Sequence, residues 1–326
     1  MCTAITFHSR DHYFGRTLDL EYSYQEQVVI TPRGYAFPFR RVTAPSGQYA
    51  IIGMAYLADG VPLYYDAVNE HGLAMAGLNF PGNAVYHPFL EGCDNVASFE
   101  LIPWLLRQCK TVAEARILLT RINLWDEHFS AALPHSPLHW LIADRECAIT
   151  VESMQDGLHI YENPVGVLTN NPPFPHMLTH LAGFRHLSPR ETENRLAPQI
   201  PLPAYSRGMG AMGLPGDLSS ASRFVRAAYT KLNALPGDDE EDSVGQFFHI
   251  LGTVEMVRGA CMLGENGETP DLTIYTSCCN QERGIYYYTT YENRQITAVD
   301  LHRETLDGSA PVAYPLLRSA QIRQQN

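Results

Sequence analysis

The sequence predicts an α+β fold, a four-layer αββα sandwich in which two stacked, mainly antiparallel sheets are flanked by helices. Two features of the 326-residue chain carry this prediction. Short runs rich in β-branched and aromatic residues follow one another up to residue 79 before any helical pattern begins. Two groups of helical patterns then occur, each between runs of strands. Helices in these positions would cover both outer faces of a pair of sheets.

The first predicted strands span 2–7 and 13–20, with the polar turn 8–12 between them. Antiparallel pairing of these two strands would bring the second one alongside Cys2. The strands that follow are predicted at 27–31, 49–56, 63–68 and 72–79, with Gly and Pro between them.

The helical patterns begin after these strands. Apolar spacing predicts a helix at 96–108 despite Pro103, and Thr111 with Glu114 forms a capping box that opens the next helix. The later predicted elements are strands at 138–143, 147–153, 157–161 and 165–169, helices at 219–234 and 243–256, and strands at 272–278, 284–291 and 296–301. The Gly- and Pro-rich segment 198–218 is too long for a neutral connector, so we expect it to form a site or an assembly segment.

Composition excludes several classes of function. The net charge of −12 disfavours nucleic acid as a partner and leaves no basic patch to hold a membrane. The sequence has no apolar run of about 18 residues and no secretory pattern, so we expect a cytoplasmic protein. The seven scattered cysteines form no C-x-x-C pair, and neither His135 with His139 nor His176 with His180 carries the glutamate of a zinc-protease motif. We therefore expect no metal and no cofactor.

The N-terminus carries the first candidate for chemistry. If the small second residue permits removal of Met1, the chain begins at Cys2 with a thiol and a free α-amine on one residue. An α-amino group titrates near pH ~7.7–8.0, so a useful fraction is neutral and can act as a base. The alternative is a chance Met-Cys start at a frayed terminus. If Arg16 and Asp19 both serve Cys2, their strand must end or bend near Thr17-Leu18, because residues of opposite parity face opposite sides of a strand.

A set of motifs, in order along almost the whole chain, resembles the choloylglycine hydrolase family of N-terminal nucleophile hydrolases. Each motif is weak alone, and their joint order is specific. The motifs are Cys2-Thr3, Phe14-Gly-Arg16-Thr-Leu-Asp19, Gly77-Leu-Asn79-Phe-Pro, Leu168-Thr-Asn170, Pro215-Gly-Asp-x-x-Ser-Ala-Ser-Arg223-Phe, Phe247-Phe-His-Ile-Leu, Met256-Val-Arg-Gly259, Tyr275-Thr-Ser-Cys278, Gly284-Ile-Tyr-Tyr-Tyr and Tyr291-Glu-Asn. The resemblance implies one domain over 1–326 with the N-terminal nucleophile hydrolase fold.

The resemblance also implies roles for six residues in a cysteine-dependent amidase. Cys2 would be the nucleophile, and Asp19 would hold its amine or thiol in place. Arg16 would lie near the sulfur and favour the thiolate. Asn170 would donate its side-chain amide to the oxyanion, with the backbone or side chain of Asn79 as a second donor. Arg223, on the first turn of its helix, would fix this network.

Each of these residues has a structural alternative when it is taken singly. Asn79 and Asn170 are common turn formers near prolines. Arg16 with Asp19 could be an ion pair at a strand end. Arg223 could be an exposed helix arginine, although a cation at a helix N-terminus opposes the macrodipole.

The resemblance favours conjugated bile salts as substrates, since the bile-salt branch of the family carries an asparagine after Gly-Leu and this chain has Gly77-Leu78-Asn79. The products would be the free bile acid and glycine or taurine. The alternatives are a penicillin V acylase, an N-acyl homoserine lactone acylase, or a non-catalytic protein that binds steroid-like amphiphiles.

An apolar cleft would suit a rigid steroid. The loops implied to line it contribute Leu18, Tyr24, Leu57, Ala58, Leu133 and Leu138. Ala58 is small where an aromatic residue is expected, which leaves the choice between glycine and taurine conjugates open. The resemblance further implies a homotetramer, with the segment 198–218 as a candidate arm.

Overall fold

The computed structural model describes residues 1–42, 48–264 and 267–326. The strands are Cys2–His8 (β1), His12–Leu20 (β2), Gln27–Thr31 (β3), Ile51–Ala58 (β4), Val61–Asn69 (β5), Ala74–Asn79 (β6), Asp94–Ala97 (β7), Ile122–Trp125 (β8), Leu138–Ala143 (β9), Ala148–Met154 (β10), Gly157–Glu162 (β11), Val167–Leu168 (β12), Met262–Leu263 (β13), Thr269–Pro270 (β14), Leu272–Asn280 (β15), Ile285–Thr290 (β16), Thr297–Asp300 (β17) and Val312–Pro315 (β18). The α-helices are Leu101–Leu106 (α1), Val112–Leu119 (α2), Phe174–Ala182 (α3), Ser220–Asn233 (α4) and Glu240–Gly252 (α5), and short 3-10 helices span Met209–Ala211 and Leu301–Arg303.

Two large sheets form the centre of the molecule. The first has six strands in the order β12-β1-β2-β15-β16-β17, and the second has eight in the order β11-β10-β9-β6-β5-β4-β3-β18. Neighbouring strands within both sheets pair antiparallel. The predicted α+β fold with mainly antiparallel sheets is confirmed.

The hydrophobic core divides along the layers. One buried cluster joins the facing sides of the two sheets and continues to α3, α4 and α5, which cover the six-stranded sheet. A second cluster lies between the outer face of the eight-stranded sheet and the helices α1 and α2. The layers therefore run helix, sheet, sheet, helix, as the sequence predicts.

The first hairpin lies inside the six-stranded sheet. β1 and β2 pair with Cys2 opposite Leu18, and β12 and β15 flank the hairpin. β2 runs unbroken to Leu20, so the predicted end or bend near Thr17-Leu18 is wrong. The irregularity lies instead in β15, whose register with β2 shifts between Thr273 and Tyr275.

The helices differ from the sequence prediction in three places. The pattern at 96–108 splits, because Val96 and Ala97 pair in parallel with Leu124 and Trp125 before α1 begins. α5 begins earlier than predicted, where the Asp239 side chain accepts from the Asp242 N–H. α3 was not predicted, although prolines in a first helical turn are compatible with a helix start.

Among the residues of 1–42, 48–264 and 267–326, no helix is long and apolar enough to cross a membrane.

Candidate active site

The Asn170 side chain connects three of the residues singled out by the sequence. Its Oδ1 accepts a hydrogen bond from the Cys2 N–H at 3.0 Å and another from Arg223 Nη2 at 2.6 Å. Its Nδ2 donates to the main-chain carbonyl of Asn79 at 2.7 Å. The main chain of Asn170 is held in turn, because its N–H donates to Ser220 Oγ at 2.8 Å. The side-chain amide is therefore fixed in orientation, with one of its two N–H groups committed to Asn79.

Arg223 reaches Cys2 from the helix layer. It lies in the first turn of α4, which Ser219 caps by accepting from the Ser222 N–H. One nitrogen, Nη1, donates to the Cys2 carbonyl and to Thr3 Oγ1, the latter at 2.7 Å. Burial lowers the pKa of Arg223, while the neighbouring Asp19 and Cys2 oppose that effect. The side chain is 0% exposed, so the alternative of an exposed helix arginine is wrong.

Arg16 lies on the other side of Cys2, between the two sheets. Its Nε donates to the Thr17 carbonyl at 3.1 Å, and its Nη1 donates to the carbonyls of Tyr65, at 3.2 Å, and Gly77. The remaining nitrogen, Nη2, is buried and has no hydrogen-bond partner among the described residues. Burial lowers the pKa of the guanidinium, but Cys2, Tyr275 and Asp66 outweigh it and raise the pKa overall. A buried cation with one free donor thus lies near the thiol.

Asp19 faces away from Arg16, towards the helix layer. Thr273 Oγ1 donates to one carboxylate oxygen at 2.6 Å, and Thr17 Oγ1 donates to the other at 3.2 Å. Burial raises the pKa of Asp19, and Arg223 and the N-terminal ammonium counteract this rise. Within the described parts of the chain no ion pair joins Arg16 to Asp19, so the strand-end ion-pair alternative is wrong.

No bend is needed for Arg16 and Asp19 to flank Cys2, because Cys2 lies at the end of its strand. Its side chain shares the inter-sheet face with Leu18 and Arg16, since directly opposed residues in an antiparallel pair point the same way. Its main-chain N–H donates to Asn170 Oδ1 at 3.0 Å, and Asn170 also contacts Arg223. Opposite parity therefore places Arg16 on the inter-sheet face that the Cys2 side chain shares, and Asp19 on the other face, towards the helix layer.

Met1 is attached to Cys2 in this structure, and it extends the hairpin by one residue. The Asp19 N–H donates to the Met1 carbonyl at 2.9 Å, and the Met1 ammonium donates to the Asp19 carbonyl at 2.6 Å and pairs with Asp271 at 3.2 Å. Burial lowers the pKa of this ammonium, but Cys2, Asp19 and Asp271 outweigh it and raise the pKa. An acidic pocket therefore surrounds the start of the chain.

Several residues around the site were not predicted from the sequence. The buried Asp271 has an oxygen, Oδ1, with no hydrogen-bond partner among the described residues. Asp66 lies between the sheets near Arg16, and it accepts from Tyr275, Tyr286 and Ser277 at 2.6, 2.6 and 3.1 Å. Burial raises the pKa of Asp66, with Arg16 opposing the rise. No local motif indicates these carboxylates, because their partners are distant in sequence.

The two asparagine segments interlock beside Cys2. Asn83 Nδ2 donates to Asn171 Oδ1 at 2.8 Å, and Asn171 Nδ2 donates to the Pro81 carbonyl at 2.8 Å. The Asn79 carbonyl is an acceptor for Asn170, so any oxyanion donor from Asn79 must be its side chain or its N–H. A turn residue needs no bond to a distant segment, so the turn alternative for Asn79 and Asn170 does not explain the hydrogen bond between them.

The predicted substrate-lining residues occupy several environments. Leu18 is buried opposite Cys2, and Ala58 is buried at the end of β4. Tyr24 is 38% exposed, and its ring packs at a tilt against the rings of Tyr22 and Tyr56. The remaining three are partly buried: Leu133 lies in a turn with Ser130, and Leu57 and Leu138 pack against the outer-face core of the eight-stranded sheet.

The loop that carries Tyr24 is fastened to the C-terminal part of the chain. Glu26 accepts from the Tyr24 N–H at 2.8 Å and from Ser23 Oγ at 2.5 Å. Arg318 Nη2 then pairs with Glu26 at 3.1 Å and donates to Ser23 at 2.5 Å. The conformation of residues 23–26 therefore depends on Arg318.

One group of potential metal ligands occurs in the described residues. Acceptor atoms of Asp126, His128 and His135 lie within 4.8 Å of one another. However, His128 Nδ1 already accepts the His135 N–H at 3.0 Å, which leaves its other ring nitrogen as the proton carrier. His139, which the sequence pairs with His135, lies elsewhere and contacts Glu152.

A comparison with protein families identifies the family of this chain. Residues 2–314 match the family described as linear amide C-N hydrolases, choloylglycine hydrolase family. The chain belongs to this family. A relative from Lactiplantibacillus plantarum, named bile salt hydrolase/transferase, is 51% identical over 326 residues, with 100% of both chains covered. The protein is therefore a linear amide C–N hydrolase of the choloylglycine hydrolase family with Cys2 in the second position.

Solved structures agree with the family assignment. A mutant of the conjugated bile acid hydrolase from Clostridium perfringens matches with a TM-score of 0.91 at 36% identity, covering 100% of both chains. A penicillin V acylase from Agrobacterium tumefaciens matches with a TM-score of 0.74 at 17% identity, covering 98% of this chain and 94% of that one. The second match shows a shared fold alone. The N-terminal nucleophile hydrolase sandwich predicted from the sequence is thereby confirmed.

Proposed function

We propose that the protein hydrolyses the amide bond of glycine- or taurine-conjugated bile salts, releasing the bile acid and the amino acid. The observation that carries the chemistry is the Asn170 side chain, which bonds the Cys2 N–H, Arg223 and the Asn79 carbonyl at once. The proposed substrate class is supported by the names of the relatives from L. plantarum and C. perfringens and by Asn79 after Gly77-Leu78.

The reaction would begin once Met1 has been removed. The α-amine of Cys2 takes the thiol proton, and the thiolate attacks the amide carbonyl carbon. The carbon–nitrogen bond then breaks, and the α-ammonium returns the proton to the leaving amine. Water attacks the resulting thioester while the α-amine accepts one of its protons. Cleavage of the carbon–sulfur bond releases the bile acid and restores Cys2.

The surrounding residues would divide the remaining tasks. Arg16, with its free buried Nη2, favours the thiolate on the inter-sheet side. The uncommitted N–H of Asn170 and a donor from Asn79 stabilise the oxyanion. Arg223 holds the main chain of Cys2 through its carbonyl, and Asp19 and Asp271 add negative charge at the start of the chain. We assign no metal and no cofactor to this reaction.

A substrate panel tests the proposal against its alternatives. The specificity constant kcat/KM should be highest for glycocholate or taurocholate, and lower for penicillin V and for an N-acyl homoserine lactone. A higher kcat/KM for penicillin V than for the bile salts would contradict the proposal and assign the protein as a penicillin V acylase. Binding of taurocholate in calorimetry without release of taurine would favour the non-catalytic alternative.

Replacing Arg318 by glutamine is expected to raise KM for taurocholate by about threefold to tenfold, with kcat less affected. The reason is that Arg318 fastens Glu26 and Ser23, and so holds the loop that presents Tyr24. Initial rates of taurine release measure both constants.

Arg323→Gln is the matched control for this loop, because Arg323 is exposed near the end of the chain. Its KM should equal that of the unsubstituted protein. If Arg318→Gln also leaves KM unchanged, the loop does not contribute to substrate binding.

We further propose a cytoplasmic homotetramer. A reducing compartment would keep the free thiol that Cys2 needs. The segment 198–218 exposes Ile200, Leu202, Tyr205 and Met212, which fits its proposed use as an assembly arm. Light scattering on the purified protein measures the number of subunits.

A further inference from the structure

We propose that His139 is a positioning residue that holds the Asn79 and Asn170 segments in register with each other beside Cys2. The inference rests on the function proposed above and adds a residue to it. His139 projects from β9, is fully buried, and contacts neither the thiol nor the α-amine in any hydrogen bond of the structure.

One imidazole ring touches the immediate neighbours of both asparagines. Its Nε2 lies 2.9 Å from the carbonyl oxygen of Thr169, the residue before Asn170. Its face stacks on Phe80, the residue after Asn79, with ring centroids 4.3 Å apart and planes within 6°. The ring therefore sets the separation of the two main-chain segments from which the oxyanion donors project.

Glu152 extends this support to the far end of the Asn170 segment. Its Oε1 lies 3.0 Å from His139 Nδ1, and the same oxygen accepts the Phe174 N–H at 3.0 Å. Phe174 is the first residue of α3. The His139–Glu152 pair thus anchors the segment 169–174 at its beginning, through Thr169, and at its end, through Phe174.

The arrangement of acceptors fixes where the proton must be. Both ring nitrogens of His139 face oxygens, and the Thr169 carbonyl can only accept. The ring therefore donates at Nε2 to Thr169, and its Nδ1 faces Glu152 Oε1. Both side chains are 0% exposed, so bulk water does not reach the hydrogen bond between them.

A role in stability alone does not account for this pair. Buried ion pairs are often replaced by apolar residues without loss of stability, because desolvation offsets much of their attraction. What an apolar pair cannot reproduce is directional attachment to the Thr169 carbonyl and the Phe174 N–H. We infer that the pair fixes the position of the main chain on both sides of Asn170.

The test compares two reactions of Cys2 in the His139→Gln variant. Alkylation by iodoacetamide needs the thiolate and no oxyanion donor, whereas amide hydrolysis needs both. We expect kcat for taurocholate to fall about 10- to 100-fold, since a misplacement of about 1 Å at a reacting group costs about that much. The alkylation rate should stay within about twofold of that of the unsubstituted protein.

His159→Gln is the matched control, because His159 forms an exposed pair with Asp156 at 2.9 Å. It should leave both reactions unchanged. If His139→Gln leaves a charged Glu152 buried and does not fold, the double variant His139→Gln with Glu152→Gln removes that charge and allows the same comparison.

Two results would overturn the inference. Either kcat is unchanged in the folded His139 variants, or alkylation slows in parallel with hydrolysis, which would show a general loss of structure around Cys2. Failure of the proposed substrate is seen separately, since the unsubstituted protein would then release no taurine. The same comparison made with penicillin V would still decide the role of His139.

Discussion

A chain with one serine inserted between Met1 and Cys2 is expected to lose nearly all bile-salt hydrolysis. Removal of the methionine would then leave Cys2 in a peptide bond, and an amide nitrogen cannot accept the thiol proton. General base catalysis of this kind contributes about 10²–10⁴ in rate, so the loss should approach that of Cys2→Ala. Glycine or taurine release measures the rates, and mass spectrometry identifies the first residue.

The structure adds a geometric reason for this sensitivity. A residue in front of Cys2 continues the first hairpin, because its carbonyl accepts the Asp19 N–H and its amine lies between the Asp19 carbonyl and Asp271. The preceding residue therefore holds the free α-amine of the chain in this acidic pocket, one residue away from Cys2.

The control is a chain released from a removable N-terminal fusion so that Cys2 is its first residue. This chain should be fully active, which separates the effect of the added serine from that of expression. Undiminished hydrolysis by the serine-extended chain would mean that the base is a group other than the α-amine.

The fold was predictable wherever the pattern depended on local residues. The hairpin β1–β2 and the strand β3 follow from alternation and turn residues close together in sequence. The prediction at 96–108 was wrong over its first half, because Val96 and Ala97 are paired by residues of β8 that lie far along the chain. The helix α3 was not predicted from the sequence, and Pro173 occupies its N-cap position without a capping hydrogen bond from a side chain.

The candidate site was predictable to the extent that its residues lie in motifs. Cys2, Asn170 and Arg223 were named from the sequence, and hydrogen bonds join them in the structure. Asp66 and Asp271 carry no such signature. Asp271 pairs with the start of the chain because β15 lies beside β2 in one sheet. Asp66 contacts β15 and β16 because the two sheets stack.

The Asn170→Ala variant is expected to lose about 10²–10³ in kcat for taurocholate, the usual effect of removing one oxyanion donor. The structure points to the upper end of this range. Besides the donor, alanine removes the Oδ1 that receives the Cys2 N–H and Arg223, and it leaves Arg223 Nη2 buried without that acceptor. KM should change much less than kcat, because the lost interactions act on the transition state and on Cys2.

Asn171→Ala is the matched control, since the adjacent asparagine bonds Pro81 and Asn83 and does not contact Cys2. Its kcat for taurocholate should fall less than about tenfold, because the substitution removes the hydrogen bonds to Asn83 and Pro81 but leaves the oxyanion donors in place. Asn170→Asp refines the assignment: it keeps an acceptor for Arg223 but turns an oxygen towards the Asn79 carbonyl and the developing oxyanion. Its kcat should therefore also fall. If the Asn170 variants instead raise KM at constant kcat, Asn170 contributes to ground-state binding of the substrate.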